Sequence, residues 1–188
     1  LFWAGDYKII DQNGDGVIDL KDRTIIGNPN PDFVYGINLD VNYKKLSLRV
    51  LANGVYGNDI ANGNLLQLAI AEGIPWSNIT NAAYNNAWRP EKPSNIYPRI
   101  GYSTNGMIAM PDRIVEDGSF LRLSTINLGY QFDKVNVYVS AQNLFTFTAY
   151  SGYNPEVTSF LYDGLRNGVD WNGQPNARKF LIGLNFNL

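Results

Sequence analysis

Apolar side chains recur at every second residue along several unusually long stretches of this chain. From Phe33 to Tyr43 every odd position is apolar or aromatic, whereas the even positions include Asn38 and Asp40. A period of two is typical of a strand with one apolar and one polar face, and it excludes an amphipathic helix, whose period is 3.6. The same alternation predicts five strands in all, at 33–43, 46–57, 120–132, 135–146 and 178–188.

The lengths of the strands and connections favour a membrane barrel. The strands exceed the five or six residues usual in globular proteins and match the roughly 9–11 residues of a tilted membrane-crossing strand. Minimal turns at Lys44-Lys45 and Asp133-Lys134 alternate with long segments, roughly 58–119 and 148–177. Outer-membrane barrels have short periplasmic turns and long external loops. The predicted fold class is therefore all-β: the C-terminal five strands of a large antiparallel transmembrane β-barrel with long extracellular loops.

This interpretation assigns residues 1–32 to an external loop and residues 33–188 to the C-terminal part of the barrel. Single-chain barrels start at eight strands, and an open sheet edge in lipid would leave backbone groups unsatisfied. The other strands are therefore expected upstream in a longer parent chain, in keeping with a start at Leu1. A two-sheet sandwich also gives strands of period two, so a secreted calcium-binding β-sandwich module that binds glycans is the alternative.

Composition removes several kinds of chemistry. The chain has no Cys and no His, which excludes a Ser-His-Asp hydrolase and a zinc enzyme within it. A net charge of −2 gives no basic footprint for nucleic acid. A glycosidase needs two carboxylates across its substrate, and the loop carboxylates show no such pairing, so no enzyme is predicted. These carboxylates are Asp112, Glu116, Asp117, Glu156, Asp163 and Asp170.

The loops hold two further features. Aromatic residues there are available to stack on sugars or a partner, or to pack within the loops themselves; they are Trp3, Trp76, Trp88, Trp171, Tyr150 and Tyr153. The stretch from Ile60 to Glu72 has helical character and predicts a short helix in the first long loop.

The strongest local motif is a calcium-type loop at residues 11–22. Oxygen-bearing side chains fall at loop positions 1, 3, 5, 9 and 12, with Gly16 at position 6 and a backbone carbonyl at position 7. This is the spacing of an EF-hand-type loop, which wraps six to eight oxygens around one Ca²⁺. The predicted ligands are Asp11, Asn13, Asp15, the carbonyl of Val17, Asp19 and Asp22. Position 12 is Asp rather than Glu, and the alternative is an Asx-rich surface turn without metal.

Several longer runs lie in order along nearly the whole chain. The first comprises Gly5-Asp6-Tyr7-Lys8, the calcium-type loop, and Arg23-Thr24-Ile25-Ile26-Gly27-Asn28-Pro29-Asn30-Pro31-Asp32-Phe33. The others are Trp88-Arg89-Pro90-Glu91 with Tyr97-Pro98-Arg99, Val115-Glu116-Asp117-Gly118-Ser119-Phe120-Leu121-Arg122-Leu123, Leu128-Gly129-Tyr130, Val139-Ser140-Ala141-Gln142-Asn143-Leu144-Phe145-Thr146 and Tyr150-Ser151-Gly152-Tyr153-Asn154-Pro155-Glu156. Together they resemble the C-terminal region of SusC/RagA-type TonB-dependent outer-membrane transporters of Bacteroidetes. One departure is the last residue, Leu188, where such barrels usually end on an aromatic.

The resemblance implies a function beyond what the residues show. It implies a barrel of about 22 strands filled by a plug, embedded in outer-membrane lipid as a multi-pass protein. A SusD-like surface lipoprotein would cap it as a lid, and TonB would supply energy through the upstream part of the parent chain. The cargo would be an oligosaccharide or a peptide, taken up as a nutrient. The predicted orientation of the strands puts the calcium-type loop outside the cell, where its calcium is expected to be structural.

Overall fold

A computed structural model describes residues 3–69, 78–101, 111–157 and 167–186 of the chain. The elements are β1 Phe33–Tyr43, β2 Leu46–Tyr56, β3 Asp59–Asn62, α1 Gly63–Ala69, α2 Asn81–Asn86, β4 Val115–Asp117, β5 Phe120–Gln131, β6 Val135–Thr148, β7 Val169–Asp170 and β8 Lys179–Phe186. Five long strands form one antiparallel sheet in the order β1-β2-β5-β6-β8, and three short ones form a second sheet in the order β4-β3-β7. Two short 3₁₀ helices lie at Leu20–Asp22 and Asp112–Ile114.

The bounds of the five strands in the large sheet lie close to the five ranges predicted from the sequence. The first strand has the predicted bounds, and the second and third each end one residue earlier than expected. The fourth continues to Thr148, two residues further. The expected end of the last strand at residue 188 lies outside the described residues. The antiparallel all-β fold predicted from the sequence is confirmed.

The pairing register gives this sheet one apolar and one polar face. Leu48 lies opposite Val41 and Leu128, and the row continues through Val139 to Ile182. Neighbouring rows on the same face contain Leu39, Val50, Ile126, Ala141, Phe180, Val137 and Leu184. The opposite face has polar rows, with Asp40 opposite Arg49, then Asn127 and Ser140. Because side chains alternate along each strand, the sequence period became these two faces.

A bulge in β5 keeps the apolar face continuous. The register against β2 shifts at Ser124, so that Leu123 pairs with Ala52 and Thr125 pairs with Leu51. The extra residue inverts the alternation, and the apolar residues on both sides of the bulge therefore share one face. The Ser124 hydroxyl donates to Oδ1 of Asn53 on β2. Strand β6 is irregular at the same level, where Asn143 has a φ of +52°.

The two short turns lie together at one end of the sheet, which we call the turn rim. Lys44 takes a φ of +54° between β1 and β2. The backbone amide of Gln131 donates to the Lys45 carbonyl at 2.8 Å, and the Lys45 ammonium lies 3.3 Å from Asp133. Both ends of this ion pair are exposed, so its contribution to stability is small.

The opposite end, the loop rim, holds the compact part of the described chain. The buried apolar side chains are Ile60, Ala83, Ala87, Ile114, Phe120 and Tyr150, and all but Phe120 lie outside the large sheet. Helix α1 begins three residues later than expected, because residues 59–62 instead pair with β4 and β7. Its predicted continuation beyond residue 69 lies outside the described residues. No helix of the described ranges is long and apolar enough to cross a membrane.

Candidate functional site

The loop rim is formed by segments far apart in sequence. Asn28 and Asp59 join the N-terminal segment to β3: the Asn28 amide donates to the Asp59 carboxylate at 2.7 Å, and the Asp59 amide donates back to the Asn28 carbonyl at 2.8 Å. The Ala61 amide donates to the Gly168 carbonyl at 2.8 Å and so holds the third loop segment. Residues 3–32, 57–119 and 149–178 are thus linked where they are described.

The calcium-type loop is folded back on itself by its own carboxylates. Asp11 accepts from the amides of Gly14 and Gly16 at 2.7 and 2.8 Å. Asp22 accepts from the amides of Gln12 and Asp19, both at 2.8 Å, and so ties the end of the loop to its beginning. Hydrogen bonds from those amides hold the pKa of Asp22 below its ordinary value. Both glycines have positive φ, +73° and +79°, a conformation that side-chain-bearing residues adopt at a cost.

The remaining predicted ligands also contact neighbours within the loop. Asn13 accepts from the Asp15 amide at 3.0 Å and donates to the Asp15 carboxylate at 2.9 Å. Asp15 accepts from the Val17 amide at 2.9 Å, and Asp19 accepts from the Lys21 amide at 2.7 Å. The donor atoms are the hard oxygens that calcium prefers. Within the described ranges, however, no three carboxylates converge closely enough to hold a metal ion.

A polar cluster that includes the buried Asn62 and Asp170 joins the small sheet to the loop after β6. Nδ2 of Asn62 donates to Glu116 at 3.0 Å and to the Ser151 hydroxyl at 3.2 Å. The Ser151 amide and hydroxyl also donate to Glu116, at 2.7 and 2.8 Å. Beside them, the Tyr150 hydroxyl donates to Asp170 at 2.6 Å. Burial, together with this bond to a carboxylate, raises the pKa of Tyr150 well above its usual range.

A second cluster surrounds Arg122 on the polar face of β5. Its side chain is 4% exposed, and its guanidinium donates to Asn154 at 2.7 Å, to Thr146 at 3.0 Å and to Glu156. The guanidinium also lies 5.3 Å from the centre of the Phe120 ring. A buried arginine needs such partners because an unpaired charge there is costly. The cluster fixes the loop after β6 against the strand.

Four of the six loop carboxylates considered for catalysis accept hydrogen bonds that hold the loops together. Glu116, Glu156 and Asp170 accept hydrogen bonds within the two clusters. Asp117 accepts from the Ser119 amide at 2.8 Å and Asp112 lies in a 3₁₀ helix, whereas Asp163, like Trp76, lies outside the described residues. Sequence analysis missed Arg122 as an anchor; its only signal is a charged residue between two leucines at the start of a strand.

Comparison with known proteins gives close relatives of this chain. No family model matches it. It is 35% identical over 195 residues to TonB-dependent receptor P3 of Formosa agariphila, covering 96% of this chain and 19% of that protein. It is 32% identical over 191 residues to TonB-dependent receptor SusC of Bacteroides thetaiotaomicron, covering 93% of this chain and 17% of that protein. The chain thus spans about a fifth of the length of the curated relatives it matches.

Solved structures agree on the fold. The chain matches the RagAB peptide importer in its open-open state with a TM-score of 0.70 at 24% identity, covering 87% of this chain and 18% of that chain. A second structure of the RagAB peptide transporter gives a TM-score of 0.69 at 23% identity, covering 90% of this chain and 20% of that chain. The sheet and its loops therefore match the fold of a fragment of a TonB-dependent transporter barrel, and the resemblance described from the sequence is confirmed.

Proposed function

The matched segment belongs to the SusC/RagA type of TonB-dependent receptor, and on that basis we propose that it forms part of an outer-membrane nutrient importer. The observation that carries the proposal is the apolar face of the five-stranded sheet. Ile182 is 80% exposed and Phe180 is 70% exposed in the described structure. A continuous apolar face opposite a polar one suits strands that separate lipid from a hydrated lumen.

The same face argues against the secreted sandwich. In a sandwich, the inner face of each sheet packs against the other sheet at about 10 Å. Across the described residues, the apolar face of the large sheet is not packed against the small sheet, which lies at the loop rim with its own core of Ile60 and Ile114. A sandwich would also leave the five long strands without the membrane-spanning role that fits their length.

In the transport mechanism we propose, the strands of this chain form part of the barrel wall and its loop rim forms part of the external surface. Cargo, an oligosaccharide or a peptide, would be held between a SusD-like lid lipoprotein and the loop rim, and would pass inward when an upstream plug moves under TonB action. The relatives named SusC and RagAB support this assignment. Residues of this segment would bind and position cargo without making or breaking covalent bonds.

The function is tested by uptake in cells that express the full-length receptor. We expect accumulation of labelled oligosaccharide or peptide to require this receptor and its lid lipoprotein, and to stop when the proton gradient that drives TonB is dissipated. Supplying both cargo classes in parallel decides between them. Unchanged uptake without the receptor would refute the proposal.

We also propose that the loop at residues 11–22 binds a structural Ca²⁺. Support comes from the four carboxylates and the Asn13 carboxamide that fall at ligand positions of this twelve-residue loop, and from Asp22, which closes the loop onto Gln12. Bound calcium would draw together Asp11, Asn13, Asp15, Asp19, Asp22 and the Val17 carbonyl. Crowded carboxylates repel one another without a cation, and bound calcium would offset two of their four negative charges.

A further inference from the structure

An open cleft at the loop rim is lined by Trp3, Ala4, Trp88 and Arg99 and has a volume of about 320 Å³. Small-molecule sites have volumes of roughly 300–1,000 Å³ and combine aromatic walls with a few polar groups. This cleft has two indoles and one guanidinium, from segments more than eighty residues apart in sequence. These four lining residues belong neither to the calcium-type loop nor to either polar cluster.

The backbone of Trp3 is held by hydrogen bonds, whereas its side chain is exposed to solvent. Its amide donates to the Asp6 carboxylate at 2.8 Å, and its carbonyl accepts from the Asp6 amide at 3.0 Å. The residue is nevertheless 68% exposed. A fixed backbone turn that presents a large aromatic ring to solvent suits a stacking surface, because only the side-chain torsions of the Trp remain to be ordered on binding.

Trp88 is fixed by close packing against Gly5. A Cβ at position 5 would stand 2.5 Å from Cε3 of the Trp88 ring, and Gly5 has a φ of +88°. The Trp88 amide donates to the Tyr97 carbonyl at 3.1 Å. Only glycine allows the N-terminal segment to approach the indole this closely. The ring is therefore immobilised where it borders the cleft.

Arg99 supplies the polar group of the cleft. Its Nε donates to Asp6 at 2.5 Å and its amide donates to the Gly5 carbonyl at 2.9 Å. The Asp6 side chain is 4% exposed and that of Arg99 is 34% exposed. The buried carboxylate balances the positive charge, so the guanidinium offers N–H donors to a ligand from a nearly neutral site.

We propose that this cleft binds a sugar ring of a neutral oligosaccharide. The apolar C–H face of a pyranose stacks on an indole, and its hydroxyl oxygens accept hydrogen bonds from Arg99. A peptide does not present a stacking C–H face of this kind in every residue. An acidic ligand gains little from a guanidinium that is already paired with Asp6. This inference rests on the proposed transport function and selects the saccharide class within it.

The test measures ligand binding to the full-length receptor in detergent by calorimetry. The probes are neutral hexose oligosaccharides, uronate oligosaccharides and uncharged hexapeptides. We expect a neutral oligosaccharide to bind, Trp3→Ala to weaken its binding about tenfold, and Trp3→Tyr to keep most of the affinity. Trp171→Ala is the matched control, since Trp171 packs against Gly63 outside the cleft, and it should leave the affinity unchanged.

Several results would overturn the assignment. These are no binding by any neutral oligosaccharide, equal affinity in Trp3→Ala, or a Trp3-dependent affinity for hexapeptides or uronates. Loss of lid-lipoprotein binding in Trp3→Ala, with saccharide affinity intact, would make Trp3 a protein contact instead. Uptake by cells separates the two proposals: persistent uptake with no effect of Trp3 removes only the sugar site, whereas sugar binding without any uptake removes the transport function.

Discussion

The ring of Tyr35 on β1 lies directly over Gly54 on β2, so that a Cβ at position 54 would stand 2.4 Å from its Cζ. The hydroxyl of Tyr35 reaches past this glycine and donates to the Phe120 carbonyl on β5 at 3.1 Å. One side chain thus spans three strands at the loop rim. Tyr138 covers Gly183 in the same way on β6 and β8, with its Cζ 2.3 Å from the position of an added Cβ.

The close approach at Gly54 predicts a large effect of a single methyl group. Gly54→Ala would meet both the Tyr35 ring and the Phe120 carbonyl oxygen, each at 2.4 Å, so a backbone strand has to shift. We expect a destabilisation of about 1–3 kcal/mol, as for overpacking elsewhere. The measurement is the unfolding midpoint of the full-length receptor in detergent. Gly36→Ala is the control, because its methyl meets only the Ala52 carbonyl oxygen at 3.9 Å; equal midpoints for the two variants would contradict the prediction.

The two faces of β5 predict opposite responses to a charge. Ile126 pairs with Val50 and Ala141 on the apolar face, whereas Thr125 pairs with Leu51 and Gln142 on the other. Ile126→Lys should cost about 2–4 kcal/mol near the middle of the bilayer, and Thr125→Lys should cost much less because it faces the lumen. Refolding into lipid vesicles followed by denaturant titration measures both. A greater loss in Thr125→Lys would invert the assignment of the faces.

Alternation of apolar and polar residues along the sequence predicted the sheet, but it could not predict features that depend on residues far apart in sequence. Alternation places Leu128, Val139 and Ile182 on one face whatever the rest of the chain does. The bulge at Ser124 was not predictable, because it depends on which residues of β2 lie opposite. The pairing of Asp6 with Arg99, 93 residues away, depends on how two loops pack. The calcium-type loop was readable because its spacing lies within twelve residues, and its metal stays a prediction.

Acid should loosen the turn that presents Trp3. Burial raises the pKa of Asp6, but the hydrogen bonds from Arg99 and the Trp3 amide and the charge of Arg99 outweigh it, so the folded-state pKa is lowered. A lowered pKa stabilises the folded loop above the unfolded value of 3.8, and this stability is lost as pH falls through the folded value. Exchange of the Arg99 amide, normalised to its intrinsic rate, should rise below that pH.

The control for the acid response is Asp6→Asn, which removes the titrating group. Its Arg99 amide should exchange fast at neutral pH and show no further change in acid. If the wild-type receptor kept the same normalised exchange rate through the whole acid range, the bond between Asp6 and Arg99 would not hold these two segments together.

Removal of calcium should release the loop at residues 11–22 while leaving the sheet intact. Asp11, Asp15, Asp19 and Asp22 carry four negative charges within twelve residues; each accepts backbone hydrogen bonds, but amide dipoles do not cancel net charge. A bound Ca²⁺ would offset two of these charges, with oxygen distances of about 2.3–2.6 Å and an affinity of about 10⁻⁴–10⁻³ M, as in extracellular modules.

The experiment compares hydrogen exchange of the full-length receptor in calcium and in chelator. We expect faster exchange of residues 11–22 in chelator, unchanged exchange of β2 and β5, and a chelator-like loop in Asp15→Ala even when calcium is present. Gln12→Ala is the matched control, because only its backbone amide takes part in the loop closure at Asp22, and it should respond to calcium like the wild type. Because the loop belongs to the N-terminal segment of the loop rim, where the lid lipoprotein would dock, loosening it should also weaken binding of that lipoprotein. Identical exchange in calcium and chelator would leave the loop as a turn closed by Asp11 and Asp22 alone.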